Sequence, residues 1–216
     1  MRRQNRHRCG FTLIELLVVI AIIGVLTALI GHALVAANVK PKIAMARAEL
    51  AEMESAIHEY QDKLGFYPPD NPTDPAMNPL WFELSGTTNN GVTYVTLDAG
   101  GQISLADING KFDRQGFSNT GTKAHSADES VAPMSFLSHL RSEQVGQPDA
   151  SKPQIKILLC SVKLPAGSGS APIPGTSLNP WRYVSSHPTN NVGLYDLWVD
   201  LVIGGETYQV NNWSKP

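Results

Sequence analysis

The sequence predicts an α+β chain: one long N-terminal helix, half of it transmembrane, packed on a small antiparallel sheet. Three observations predict it. Residues 11–31 are apolar on every face and carry one charge, Glu15. Residues 43–64 then carry a single apolar stripe at helical spacing. The last forty residues alternate as short strands do, around a Gly204-Gly205 turn.

The apolar run, FTLIELLVVIAIIGVLTALIG, comes first. A helix of that length reaches roughly 30 Å, the hydrocarbon thickness of a bilayer. Ahead of it, MRRQNRHRCG holds Arg2, Arg3, Arg6 and Arg8 and no acid. Positive charge keeps that side in the cytoplasm and sends the rest of the chain outward. A secretory signal would have a shorter apolar core and a small-residue cleavage site, a spacing met at Ala44-Met45-Ala46. That reading leaves Glu15 without a purpose. A carboxylate within lipid costs about 2.5–3.5 kcal/mol on the mildest scale, so it needs a partner and a task.

Gly10-Phe11-Thr12-Leu13-Ile14-Glu15, followed by LLVVIAIIGVL, resembles the class III signal of type IV pilins and type II secretion pseudopilins. The resemblance implies that prepilin peptidase cuts on the cytoplasmic side between Gly10 and Phe11 and N-methylates Phe11. It also implies that Glu15 serves assembly. In a helical filament the Phe11 amine of one subunit meets the Glu15 carboxylate of a neighbour, and losing either partner leaves a buried charge unpaired. The implied organisation is a cleaved leader at 1–10, a transmembrane and filament-core helix at 11–39, its periplasmic continuation at 40–66, and a pilin-like head at 67–216 with a variable middle.

Composition agrees with one modest domain beyond the membrane segment. The whole chain of 216 residues has net charge −2. The leader takes four of the 17 Lys and Arg and no acid, so the mature chain has 13 bases against 19 acids, net −6. An acidic domain argues against a nucleic-acid partner, because phosphate binding needs basic patches. Cys9 leaves with the leader. Cys160 then has no disulfide partner and sits in IKILLCSV, which reads as a buried strand.

The second helical pattern places Ile43, Ala46, Leu50, Met53, Ile57, Tyr60 and Leu64 three and four apart. The polar face is expected to hold Glu49, Glu52, Glu59, Asp62 and Lys63. The stripe packs the helix on its own sheet, with a coiled coil to another subunit as the alternative. Pro41 predicts a kink or short break near residues 38–42, and Gly65 a stop. Gly65-Phe66-Tyr67-Pro68 resembles the Gly-x-Tyr-Pro turn of major pseudopilins, with Tyr67 folding back on the stripe.

Further on, residues 70–79 read as a surface loop and 80–84 as a short helix. Residues 87–91 read as polar loop and 92–97 as a strand, with Ile103, Leu105 and Ile108 as strand positions. Residues 120–130 read as exposed and 136–140 as one or two helical turns. Residues 154–162 are the clearest internal strand, and 165–180 form a Gly/Ser/Pro-rich loop. Strands follow at 181–185, 194–202 and 207–210. Asn179-Pro180-Trp181, Tyr183, Tyr195-Asp196-Leu197 and Asn212-Trp213 are similar to the tail of major pseudopilins, which carries a calcium-binding loop. The acids available for calcium are Asp196, Asp200 and Glu206. Asp196 and Asp200 lie about 13 Å apart on a straight strand, too far for one ion without a bend; the alternative is solvated carboxylates. The resemblance covers residues 10–68 and, loosely, 179–213, and residues 86–153 are left without a role.

No His-x-x-x-His or Cys-x-x-Cys pair, serine elbow, P-loop or dinucleotide fingerprint occurs, so no enzyme is expected. The expected function is a structural subunit of a type II secretion pseudopilus. It is held in the inner membrane by lipid before assembly, N-terminus inward and head periplasmic. An inner-membrane platform then adds it to a filament with copies of itself and other pseudopilins. A type IV pilin for adhesion, motility or DNA uptake is one alternative. A membrane-anchored binding domain that never polymerises is the other.

Overall fold

The computed structural model describes residues 12–122, 132–137, 140–165 and 171–214. The fold is α+β, and the chain divides into two units, Met1–Pro41 and Lys42–Pro216. Helix α1, Leu13–Leu64, begins in the first and ends in the second. The break considered near Pro41 is not seen: α1 is helical through it. A proline interior to a helix removes one hydrogen bond, and the packed stripe that follows holds the helix beyond it.

Within the second unit the stripe behaves as its spacing requires. Ala46, Leu50, Met53, Ile57 and Tyr60 are buried, and Ile43 and Leu64 flank them half-buried. Glu49 is the exception to the expected polar face. It is fully buried, accepts from Arg141 Nη2 and Ser161 N, each at 3.1 Å, and so satisfies its charge from the head rather than from water. Gly65 closes α1 with φ of +84° and a bond from its N–H to the Gln61 carbonyl at 2.8 Å.

The turn after α1 is tightly built. Residues 70–79, expected at the surface, bury Asp70, Asn71, Ala76 and Asn78. The Asn71 amide donates to the carbonyls of Met77 and Lys111, and the Asn78 amide to those of Pro75 and Trp181. Asparagines that replace backbone partners let a proline-rich loop enter the interior without orphaned carbonyls. Helix α2, Leu80–Ser85, follows as expected and is buried throughout.

The middle region forms a four-stranded sheet in the order β3-β2-β1-β4. Its strands are β1 Thr87–Asn89, β2 Thr93–Thr96, β3 Gln102–Ser104 and β4 Thr120–Thr122. Thr87 pairs antiparallel with Thr96 and parallel with Thr120, so the expected polar loop at 87–91 contains a central strand. Threonine suits a pleated, half-buried surface. Leu105 and Ile108, expected in a strand, lie instead on helix α3, Leu105–Phe112. Ser104 caps that helix, accepting from Asp107 N, and the i, i+4 pair Ile108 and Phe112 is buried. Gly86, at φ +68°, carries the chain where any Cβ would stand 2.5 Å from the Met134 carbonyl oxygen.

Residues 136, 137 and 140 are not helical; 138 and 139 lie outside the described residues, as do 123–131 and 166–170. The strand expected at 154–162 shortens to β6, Ile157–Leu158, paired with β5, Val145–Gly146. Beyond it Leu159 N turns to the Gln144 carbonyl and Cys160 N to Asn179, so the segment divides its bonds among several neighbours. The C-terminal sheet is antiparallel in the order β7-β8-β9: Arg182–Val184, Asp196–Ile203 and Glu206–Asn211. Gly204 and Gly205, at φ +64° and +90°, make the two-residue turn that sets six registered pairs.

Candidate functional site

Gly10 and Phe11, the expected cleavage pair, lie outside the described residues. Glu15 is described, and its surroundings add something the sequence reading missed. Its Oε2 accepts from Thr12 N at 2.8 Å and from Thr12 Oγ1 at 2.7 Å, while Glu15 N donates to Thr12 Oγ1 at 3.3 Å. This is a reciprocal capping box that starts α1, with Thr12 before the first turn and Glu15 within it. The Thr-x-x-Glu spacing ahead of an apolar run was its signal. The carboxylate is thereby turned back onto Thr12, the first described residue. Along α1 the large apolar side chains from Leu13 to Leu26 are exposed. Side chains from 28 to 37 lie outside the described residues. Among the described residues no helix is long and apolar enough to cross a membrane.

In the head, the residues that carried the resemblance converge. The Tyr195 ring meets His58 of α1 at 5.8 Å, Tyr67 at 5.1 Å and Tyr183 at 5.8 Å. Tyr67 thus packs on Tyr195, and its neighbour Phe66 meets Tyr60 of the stripe at 5.9 Å. The Tyr183 hydroxyl donates to the Pro68 carbonyl at 2.8 Å, and burial pushes its ionisation far above the ordinary range. Asp70 Oδ2 accepts from the backbone N–H groups of Ser185 and Ser186 and from the Ser186 hydroxyl. The turn after α1 and strand β7 are thus locked together by one ring cluster and one carboxylate.

The three acids considered for calcium are not brought together. Asp196 is buried at the start of β8. Its Oδ2 accepts from Thr189 N, Thr189 Oγ1, Asn190 N and Asn190 Nδ2, and its Oδ1 from Asn191 N at 2.8 Å. Burial pushes the carboxyl up, but these donors outweigh it and hold it below the usual range. Asp200 faces out of the sheet, 2.9 Å from Arg182 Nη1. Glu206 is exposed at the β8–β9 turn. A cation needs oxygen ligands, whereas Asp196 is ringed by N–H and O–H donors, so this set does not fit calcium. Among the described residues no group of three or more His, Cys, Asp or Glu is placed to hold a metal.

Residues 5–31 match the prokaryotic N-terminal methylation motif. Neither a curated protein nor a solved structure matches the chain. The matched stretch contains Gly10, Phe11, Thr12 and Glu15 together with the apolar run. It supports a type IV pilin-like protein that prepilin peptidase processes and whose N-terminus is anchored in the membrane.

Proposed function

We infer that the chain is a subunit of a type II secretion pseudopilus, cut between Gly10 and Phe11, methylated on Phe11 and added to a helical filament through α1. The observation that carries this reading is Glu15: a carboxylate at the first turn of an apolar helix, within the methylation motif and bonded to Thr12, the residue after the expected cleavage pair. In the free subunit Thr12 supplies its hydrogen bonds. In a filament a neighbour's Phe11 amine supplies the opposite charge, so each incoming subunit is registered on the last. No catalytic role is assigned to the chain; it acts as a structural element moved by a separate motor. The Gly-x-Tyr-Pro turn and the Tyr195-Asp196-Leu197 strand start support a pseudopilus over an adhesive pilus, because both resemble those of major pseudopilins; they meet through Tyr67 and Tyr195.

The test is mass spectrometry of the mature N-terminus in cells with and without prepilin peptidase. A chain starting at N-methylated Phe11 that disappears without the peptidase is expected. An intact Met1, or a start beyond residue 31, overturns the reading. With processing in hand, Glu15→Ala is expected to leave cleavage intact and abolish filament assembly.

A further inference from the structure

Charge is divided along the part of α1 that belongs to the second unit. In its first two turns Lys42 and Arg47 are exposed, and the acid that follows, Glu49, is buried and paired with Arg141 at 3.1 Å. Beyond it the charges reverse: Glu52, Glu59 and Asp62 are exposed and Glu54 is half-buried, with Lys63 last. The head adds a cation to the basic end. Leu159 lines a small cavity with Met53, and Ser161 N donates to Glu49 at 3.1 Å, so this segment runs along α1 toward its start. Cys160 N and Leu164 N donate to the carbonyls of Asn179 and Ser177, which keeps the segment extended as far as Leu164. Lys163, exposed and two residues beyond Ser161, therefore falls at the level of the basic turns. Glu143 belongs to the acidic level, because its neighbour Gln144 lines that same cavity with Glu52 and Met53.

Among the described residues, Lys42, Arg47 and Lys163 have no ion pair and no side-chain hydrogen bond. Segments that face outward beside a membrane anchor are normally poor in Lys and Arg, so an unpaired set at this point needs a partner. Chain length says where that partner is. Residues 11–39 hold no Lys or Arg. A helix of that length measures roughly 43 Å, the thickness of a bilayer with its headgroup layers. Lys42 then stands at the outer headgroups, and Arg47 follows about 7.5 Å further along the axis, within a Debye length of about 8 Å. The exposed acids begin at Glu52, about 15 Å beyond Lys42, where salt screens their repulsion from the same surface.

We infer that this end of the head docks on anionic phospholipid headgroups while the subunit is anchored in the membrane, with Lys42, Arg47 and Lys163 as its contacts. Each cation close to an anionic surface is worth roughly fivefold in affinity. Three cations on two elements, with long unbraced side chains, suit a charged surface rather than one small anion. The acidic turns of a second copy are the competing partner, and the position of the cations beside the anchor favours the lipid. The inference rests on the anchored reading of α1 and adds the lipid class that the head selects. Docking of this kind holds the waiting subunit upright and is given up when the subunit leaves the bilayer.

The test is amide exchange of the full-length chain in lipid nanodiscs, one chain to a disc, read by mass spectrometry. The discs are phosphatidylcholine alone, or phosphatidylcholine and phosphatidylglycerol at two to one. Peptides covering residues 42–48 and 159–165 are expected to exchange at least about threefold more slowly in the anionic discs. The turn after α1, at residues 65–67, should exchange equally in both. Lys42→Gln, Arg47→Gln and Lys163→Gln together in one chain should abolish the difference, as should high salt. Lys63→Gln, the same loss of charge at the other end of α1, should keep it. All these positions are exposed, so both variants should melt as the wild type does. Equal exchange in the two discs, slowing that extends to residues 65–67, or slowing kept by the triple variant overturns the proposal. So does inorganic phosphate that reproduces the slowing in phosphatidylcholine discs, which marks a site for a free anion. Slowing that appears in phosphatidylcholine discs as more chains are loaded marks a contact between copies, and the proposal falls. A chain that enters neither disc overturns the anchored reading and the proposal with it, whereas equal exchange in a chain that enters both overturns the proposal alone.

Discussion

The Tyr60 hydroxyl donates to the Glu83 carboxylate at 2.9 Å, tying the last turns of α1 to α2 in a part of the head where both residues are fully buried. The same carboxylate accepts from Ser118 N and Asn119 N, so one acid gathers α1, α2 and the segment entering β4. Tyr60→Phe keeps the ring and deletes the donor. It is expected to lower the stability of the full-length chain by about 1–3 kcal/mol, the cost of an unsatisfied buried group. Melting curves in detergent check this; an unchanged melting temperature would show that water replaces the hydroxyl.

Glu83 also gives the head a pH dependence of definite sign. Burial is the largest influence and raises its pKa, outweighing the donors that lower it. The folded state therefore holds the proton more tightly than the unfolded state. The associated stability is complete below the ordinary carboxylate range and is lost as pH rises through the folded value. Glu83→Gln should remove that decline, so that variant and wild type diverge as pH is raised from 4 to 7. Parallel curves would mean that the carboxylate is ionised in the fold throughout.

Asp107 has the opposite sign. Lys152, at 2.7 Å, with Ser104 and Gln154, holds its carboxyl down at about 2. Its stabilising contribution is present above the ordinary aspartate range and is lost as pH falls through about 2. Asp107→Asn should flatten the acid limb of the stability profile and leave the neutral limb near wild type. An unchanged acid limb would assign acid unfolding to other carboxylates.

Asp196 is expected to control the loop that precedes β8. Asp196→Asn replaces acceptor oxygens by a donor facing N–H groups, so amide exchange at residues 189–191 should accelerate and stability fall by about 1.5–3 kcal/mol. Calcium should leave the melting temperature of the wild-type chain unchanged. A rise of several degrees would show that the loop rearranges to offer oxygens instead.

Cys160 is buried and its thiol is pushed up to about 12, first by burial. In a chain carrying Cys9→Ser, alkylation at pH 8 should be negligible while the head is folded and prompt once it is unfolded. Prompt labelling of the folded chain would show that the segment around Cys160 opens readily.

Those elements that repeat a local rule were legible before any coordinates. The 3-4 stripe from Ala46 to Tyr60, the stop at Gly65 and the hairpin about Gly204-Gly205 each depend on neighbours a few residues away. The elements that were misread depend on distant partners or competing local chemistry. Nothing near Glu49 announces Arg141 or Ser161, 92 and 112 residues onward. The carbonyls that Asn71 and Asn78 satisfy include those of Lys111 and Trp181, 40 and 103 residues away. At α3 the apolar Leu105 and Ile108 suggested that the strand of Ile103 continues, and the Ser104 cap decided for a helix. At the candidate site, Glu15 was legible as a charge in the wrong solvent, but its pairing with Thr12 followed from a motif read only as a cleavage signal.

The Tyr183–Pro68 bond joins residues 115 apart in the chain. The ribosome delivers them in that order, at about 5–20 residues per second, so α1 and its turn wait roughly 6–23 s before the strand that covers them exists. During that interval the Tyr195 ring is not there to pack against His58 and Tyr67. Strands β7 to β9 therefore act as a release criterion: a nascent chain truncated before β7 keeps an incompletely covered helix and is a substrate for proteolysis.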